Sequence, residues 1–209
     1  MAFTSFRFIV FLVLAAAAYF LTPKRCRWVT LFVANYVFYF ISGGRIFIYL
    51  LATTVTTYLA TVKIGDMAAK NKIAFNEAKA ELDKEGKKAW KAAFAKKKKR
   101  ILIPTLLFNF GILAVLKYSG FVTENLNLLF AKIGIGTELP VFRFLLPLGI
   151  SFYTFQSMGY LIDVYREKQE PERNFCKLAL FISFFPQIVQ GPISRFGTLA
   201  EQLFRANEF

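Results

Sequence analysis

The chain contains no histidine among its 209 residues, and only two cysteines, Cys26 and Cys176. The missing histidine removes the most common general base and the most common metal ligand of proteins. Two cysteines so far apart provide no disulfide framework. The sequence also lacks a Gly-rich phosphate loop, a CxxC pair and a GxSxG elbow. The chain therefore contains none of these familiar catalytic and phosphate-binding motifs.

Charge is also scarce along most of the chain, with 19% charged against 56% hydrophobic residues. Of six apolar stretches, several approach the roughly 20 residues that cross a hydrocarbon core of about 30 Å, and flanking aromatics or neighbouring helices could complete the shorter ones. We therefore predict an all-α polytopic membrane protein with about six transmembrane or re-entrant helices. An alternative for the first stretch is a signal peptide, because Arg7 precedes an apolar run that ends in alanines. The predicted spans are 3–21, 28–41, 46–62, 101–118, 141–162 and 175–193.

All 13 acidic residues lie in predicted loops or at the ends of spans. Ion-coupled transporters and proton pumps usually place an ionisable group at membrane depth. This distribution argues against a transporter or channel.

Positive charge is concentrated in residues 63–100, which hold 13 Lys and Arg against five acids, a net charge of +8. The positive-inside rule places this segment in the cytoplasm and, by counting spans, the N-terminus outside. Its apolar residues recur at helical spacing, which predicts a basic amphipathic helical segment along the cytoplasmic membrane surface, with Gly86 dividing it into two helices. The run KKKKR at 96–100 is interpreted as an orientation signal, with an anionic-lipid anchor as the alternative. Nucleic acid is not an expected partner.

Neutral polar residues remain inside the apolar stretches, where they need hydrogen-bonding partners. For Asn35 and Asn109, ordinary hydrogen bonding between helices is the favoured interpretation. Tyr153, Gln156 and Tyr160 fall on one helical face and form a polar stripe.

The strongest local signal is FFPQIVQGPISRF at 184–196. Its two prolines lack an amide N–H and free the carbonyls that they would have paired, and its glycine permits non-helical backbone. Non-helical backbone survives at membrane depth only where protein buries it or where it lines a cavity. The pattern predicts a broken helix or re-entrant segment beside a cavity, in which the glutamines satisfy freed carbonyls or face a ligand. The candidate tunnel-lining or cavity-lining residues are Tyr153, Gln156, Tyr160, Pro186, Gln187, Gln190, Gly191, Pro192 and Arg195.

Together, LPLGISFYTFQSMGYLIDVYR at 146–166 and FFPQIVQGPISRF resemble the membrane-bound O-acyltransferase (MBOAT) family. NYVFY at 35–39 and FNFGILAVLKYSGF at 108–121 support this resemblance in the family's order. The closer resemblance is to the bacterial branch that contains alginate O-acetyltransferase and the D-alanyl transfer protein of teichoic acid.

The resemblance implies a partial MBOAT fold, which is a large helical bundle with a tunnel, in the bacterial inner membrane. It also implies transfer of an acyl group from a cytoplasmic thioester, acetyl-CoA or another acyl thioester, to hydroxyls of an exported polysaccharide such as alginate. No bound cofactor is expected. The implied partners are the lipid bilayer, the polysaccharide acceptor, and envelope acetylation proteins or an acyl carrier protein.

The chain departs from the family pattern at its catalytic centre. The family's histidine lies in the C-terminal half of its members, so the resemblance assigns no catalytic residue here. We therefore expect residues 1–209 to be the N-terminal part of a single membrane domain, truncated, and inactive as an isolated chain. The alternative is a non-catalytic membrane accessory or lipid-binding protein that reuses the scaffold.

Overall fold

The computed structural model describes residues 6–80, 82–134, 139–141, 144, 146–190 and 194–204. These residues are mostly helical, and no strand occurs among them, so the all-α prediction is confirmed. Two single turns of 3-10 helix, Lys24–Cys26 and Gly44–Ile46, flank the second helix. The helices are α1 Phe6–Leu21, α2 Arg27–Gly43, α3 Phe47–Ala78, α4 Lys84–Lys132, α5 Ile150–Tyr165, α6 Phe175–Ser183, α7 Phe185–Gln190 and α8 Phe196–Phe204.

Within these described ranges, α3 and α4 are long and apolar enough to cross a membrane by length and composition. Two shorter apolar helical segments are Phe6–Leu21 and Phe175–Gln187. Large apolar side chains point outward, such as Leu107 and Phe121 on α4, exposed by 69% and 67%. An apolar outer surface of this kind is typical of helices that face lipid or another protein. The count of about six spans stays a prediction.

The basic segment 63–100 forms two helical stretches divided just before Gly86, as predicted, and each is the continuation of an apolar helix. Its position along the membrane surface stays a prediction. Helix α3 continues without a break to Ala78, and α4 begins at Lys84 and runs on into the apolar stretch from residue 101. The turn between them lies just before Gly86, whose N–H donates to the side chain of the N-cap residue Asp83 at 2.6 Å. The helices remain continuous because Lys, Ala and Glu, which dominate these stretches, are strong helix formers. We call the two extensions, residues 63–78 and 84–100, the basic hairpin.

The helix boundaries near prolines also differ from the predicted spans. Helix α5 begins only at Ile150, nine residues after the predicted start of its span at 141. Pro147 precedes it, and Gly149 at its N-cap has a φ of 69°, a left-handed geometry that suits glycine. The predicted span 175–193 is divided into α6 and α7.

The loop between α5 and α6, residues 166–174, is tied to the surrounding helices. The Tyr58 hydroxyl donates to the Arg173 carbonyl at 2.8 Å, and the Arg173 guanidinium lies 2.7 Å from an Asp66 carboxylate oxygen. Pro171 packs so closely on α3 that a Cβ added at Gly65 would lie 2.3 Å from its Cγ. This loop therefore holds α5 and α6 in a fixed position against α3.

Candidate functional site

The break between α6 and α7 lies in the stretch that the sequence singled out. Helix α6 ends at Ser183, Phe184 adopts an extended ψ of 95°, and α7 starts at Phe185. Pro186 explains why one continuous helix is disfavoured, since it cannot donate to the Ile182 carbonyl and its ring would clash there. The predicted interruption is therefore present, and it falls two residues before the first proline.

Two side-chain amides replace the backbone hydrogen bond that is lost at the break. In a continuous helix the Phe185 N–H would donate to the Phe181 carbonyl. Instead, the Phe185 N–H donates to Asn35 Oδ1 on α2 at 2.7 Å, and Gln156 Nε2 on α5 donates to the Phe181 carbonyl at 3.0 Å. Both bonds are buried. We call these two amides, Asn35 and Gln156, the amide clamp.

The Asn35 amide is itself oriented by its own helix. Its Nδ2 donates to the Leu31 carbonyl at 2.6 Å, which directs Oδ1 toward α7. An unpaired backbone group in this fully buried setting would cost about 1–3 kcal/mol. The amide clamp therefore makes the broken geometry compatible with burial.

Aromatic rings hold the two sides of the break. The Phe185 ring packs on Phe38 with centroids 4.9 Å apart, and on Phe8 and Phe11 of α1 at 6.3 and 6.0 Å. Such aromatic pairs contribute about 0.5–1.5 kcal/mol each beyond the area that they bury. With its backbone and its ring both fixed, Phe185 cannot easily return to a helix continuous with α6.

A second group of rings connects α5, α6 and α8 on the other side of the break. The rings of Tyr160, Phe181 and Phe196 lie with centroids 4.8 to 6.1 Å apart. The Tyr160 hydroxyl accepts a hydrogen bond from the Glu172 N–H at 2.7 Å, which links the polar stripe of α5 to the loop at 166–174. Tyr160 therefore has a defined structural role, and its predicted position on a tunnel wall stays a prediction.

Tyr153 differs from the other members of the polar stripe. Its side chain is 1% exposed, and its hydroxyl makes no hydrogen bond to another described residue. It lines a small pocket with Tyr39 and Ser42, whose hydroxyls are likewise buried without a partner among the described residues. The pocket lies where α2 ends and α5 begins, at the opposite end of α5 from the loop at 166–174. It gathers three hydroxyls with unused hydrogen-bonding capacity.

The remaining predicted site residues lie beyond the break. Gln187 Nε2 donates to Ser194 Oγ at 2.6 Å, which closes α7 back onto the segment that precedes α8. Its Oε1 is buried without a partner among the described residues. Pro186 is exposed on α7, and Arg195 is exposed just before α8, where its carbonyl accepts from the Leu199 N–H. Gly191, Pro192 and the side chain of Gln190 lie outside the described residues.

Asn35 and Lys98, both buried, make contacts that the sequence did not predict. Asn35 was interpreted as an ordinary interhelical residue, and its partner lies 150 residues away, beyond the reach of any local pattern. Lys98 of the KKKKR run is 7% exposed and donates to the Tyr165 carbonyl at 2.9 Å and to Glu167. Neither partner of Lys98 was visible in the sequence. Asn109 does make the interhelical bond expected of it, donating to Thr56 at 3.1 Å.

Comparisons with known proteins identify sequence relatives of this chain. The chain is 33% identical over 205 residues to the "Probable alginate O-acetylase AlgI" of Azotobacter vinelandii, which covers 97% of this chain and 36% of that protein. The protein of the same name from Pseudomonas aeruginosa is 31% identical, covering 97% of this chain and 34% of its own length. A "Peptidoglycan O-acetyltransferase" of Helicobacter pylori is 33% identical over 116 residues, covering 44% of this chain and 21% of that protein.

Neither a family model nor a solved structure matches the chain. The chain spans about a third of the length of the alginate O-acetylases that it matches. The resemblance indicated by the motifs is nevertheless confirmed by relatives across nearly the whole sequence. The chain is homologous to the alginate O-acetylases, in keeping with the membrane-bound O-acyltransferase type that its motifs resemble.

Proposed function

We propose that this chain forms part of a membrane O-acetyltransferase that modifies hydroxyls of an exported polysaccharide such as alginate. The observation that carries the proposal is the built break at α6–α7, found in a chain whose relatives are named as O-acetylases of alginate and peptidoglycan. Non-helical backbone of this kind is tolerated at membrane depth where it is buried in protein or lines a cavity. The break then forms part of the wall of the acyl-transfer tunnel.

The length of α6 places the break at a suitable depth. Nine residues at 1.5 Å per residue extend about 14 Å, roughly half of a hydrocarbon core of about 30 Å. Helix α6 begins at the loop 166–174, which is on the same side as the basic hairpin. A helix that starts at that membrane surface brings Phe184 close to the midplane, between a donor on one side and an acceptor on the other.

The basic hairpin sets the direction of transfer in this proposal. Its excess of lysines places it on the cytoplasmic side of a bacterial inner membrane, with the N-terminus outside. The thioester donor, acetyl-CoA or another acyl thioester, approaches from the hairpin side, and the polysaccharide is modified on the opposite face. Positive charge on the hairpin suits a phosphate-bearing coenzyme or an acidic carrier protein.

The test is made in the bacterium that encodes the chain. The gene is deleted, and acetate released by mild base from the envelope polysaccharides is quantified against the parent strain. We expect O-acetylation to fall on deletion and to return when the gene is restored as the bacterium encodes it. A plasmid that encodes residues 1–209 alone should not restore it, because these residues contain no histidine. Unchanged acetylation in the deletion strain would contradict the proposal.

The sequence of the transcript provides a second test that does not require the protein to be produced in an assay strain. Reading the messenger RNA past the codon for Phe209 should show a continued apolar chain that carries an intramembrane histidine. A stop codon at that point would support the alternative, a non-catalytic membrane accessory or lipid-binding protein.

A further inference from the structure

An open groove of about 320 Å³ lies on the basic hairpin, between the end of α3 and the beginning of α4. Both helices contribute aromatic and basic side chains to it. Its lining includes Asn71, Lys72, Phe75, Trp90, Lys91 and Phe94. The amide clamp and the α6–α7 break do not contribute to this groove, so it is a second concave feature of the molecule.

The wall of the groove is a fixed pair of aromatic rings. Trp90 and Phe75 lie with centroids 6.1 Å apart at an angle of 58°, and both remain partly exposed. Trp90 Nε1 donates to Asn71 Oδ1 at 3.0 Å, which fixes the plane of the indole. A ring wall that is oriented before binding provides a stacking surface for a planar ligand.

The rim of the groove carries positive charge that is available to a ligand. Lys72 and Lys91 are exposed, and no carboxylate within the described ranges forms an ion pair with either. Lys91 Nζ lies 6.0 Å from the Phe75 centroid, so the charge is held beside the ring wall. At the inner end, Lys98 is instead occupied by Tyr165 and Glu167.

We propose that this groove binds a phosphorylated adenine nucleotide, with the base against Trp90 and Phe75 and the phosphates at Lys72 and Lys91. A phosphate needs the lysines, and a planar base needs the ring wall; a nucleotide supplies both groups at once. Free ATP and coenzyme A both contain an adenine base and phosphates. Assignment of the groove to the coenzyme of the thioester donor rests on the proposed function.

The position of the groove argues against a lipid headgroup as the ligand. The ring wall lies well beyond the predicted span ends at 62 and 101, with Phe75 thirteen and Trp90 eleven residues away. At 1.5 Å per residue this is about 17–20 Å from the membrane surface when the hairpin stands along the membrane normal. Phospholipid phosphates lie closer to the hydrocarbon core than this.

The experiment uses the intrinsic fluorescence of Trp90, since the chain holds only two tryptophans. The variant Trp28→Phe leaves Trp90 as the only indole, and the protein is reconstituted in nanodiscs of neutral phosphatidylcholine. It is titrated with coenzyme A, ATP, inorganic phosphate and vesicles that contain phosphatidylglycerol. We expect saturable quenching by coenzyme A, and none in the reciprocal variant Trp90→Phe.

Charge variants test the assignment of the rim. We expect Lys72→Gln and Lys91→Gln each to raise the Kd of coenzyme A by about fivefold, as for a partly screened charge pair. The double variant Lys96→Gln/Lys97→Gln removes two charges, twice as many as either single variant, from exposed positions of α4 and should still change the Kd by less than about twofold.

The titrations distinguish coenzyme A from a free nucleotide and show which results would contradict the proposal. Tighter binding of coenzyme A than of ATP identifies the coenzyme, and tighter binding of ATP identifies a free nucleotide; both support a nucleotide site. Equal quenching by phosphate alone or by the anionic vesicles overturns the proposal, because neither supplies a base. If deletion of the gene abolishes acetylation while coenzyme A and ATP leave Trp90 unquenched, the groove proposal fails and the proposed function stands.

Discussion

The amide clamp makes a prediction about non-additive stability. Asn35→Leu leaves the Phe185 N–H unpaired, and Gln156→Leu leaves the Phe181 carbonyl unpaired, each in a buried site. Each orphaned group costs about 1–3 kcal/mol in the free energy of unfolding. The two orphans are the donor and the acceptor of one ordinary helical hydrogen bond, so in the double variant each can become the other's partner.

We therefore expect the double variant to be less destabilised than the sum of the two single variants, by about 1 kcal/mol, the net value of one hydrogen bond. Phe185 must shift within its aromatic contacts to make that bond, which keeps the gain small. The assay is a double-mutant cycle in mixed micelles, with unfolding by increasing SDS followed by tryptophan fluorescence.

Asn109 supplies the matched control for this cycle. It donates to Thr56 and to the Thr105 carbonyl and shares no hydrogen-bond partner with Gln156, so Asn109→Leu combined with Gln156→Leu should be additive within about 0.5 kcal/mol. If Asn35→Leu and Gln156→Leu also add within that margin, the two amides do not replace a shared helical bond, and the reasoning fails.

Two further predictions use matched substitutions elsewhere in the chain. Gly65→Ala should lower the free energy of unfolding by about 1–3 kcal/mol, because the new methyl group meets Pro171. Gly111→Ala has nothing within 4 Å of the added Cβ and should be neutral or stabilising by about 0.5–1 kcal/mol. Thermal unfolding of both variants in detergent measures the difference. In the protein as its bacterium encodes it, Gln187→Leu should reduce polysaccharide O-acetylation more than Asn109→Leu at matched expression, because Gln187 Oε1 is buried beside the break without a partner among the described residues; equal losses would count against a tunnel wall there.

The sequence predicted the features that depend on local physics. Long uncharged stretches indicated a helical, membrane-compatible fold, and the prolines of 184–196 indicated an interruption that the structure places at Phe184. Proline acts on its own neighbours, so its effect can be read without knowing the fold.

The partners of the break could not be predicted in the same way. The Phe185 N–H is satisfied by Asn35, and the Phe181 carbonyl by Gln156, both from other helices. The glutamines of the broken stretch were the obvious local candidates for freed carbonyls, and Gln187 donates to Ser194 instead. Which amide reaches which backbone group depends on helix packing, and a single sequence contains no direct record of it.

The basic segment was predicted to be helical from the spacing of its apolar residues, but its continuity with the neighbouring helices was not predicted. It continues α3 and precedes the apolar part of α4 without a break because its residues are good helix formers. Lys98 marks where this extension packs against the loop that follows α5.

The amide clamp also has a consequence for how the chain is assembled during synthesis. Asn35 leaves the ribosome 150 residues before Phe185, the group that it pairs with. Until α7 arrives, the inward side of α2 presents the Asn35 Oδ1 without its Phe185 partner. Helices α1 and α2 must therefore remain within reach of the insertion machinery while α3, α4 and α5 are threaded, and the break is formed last. A nascent chain stalled before residue 185 should thus carry an unfinished bundle, in which the Asn35 side chain is a ready contact for an insertase or a membrane chaperone.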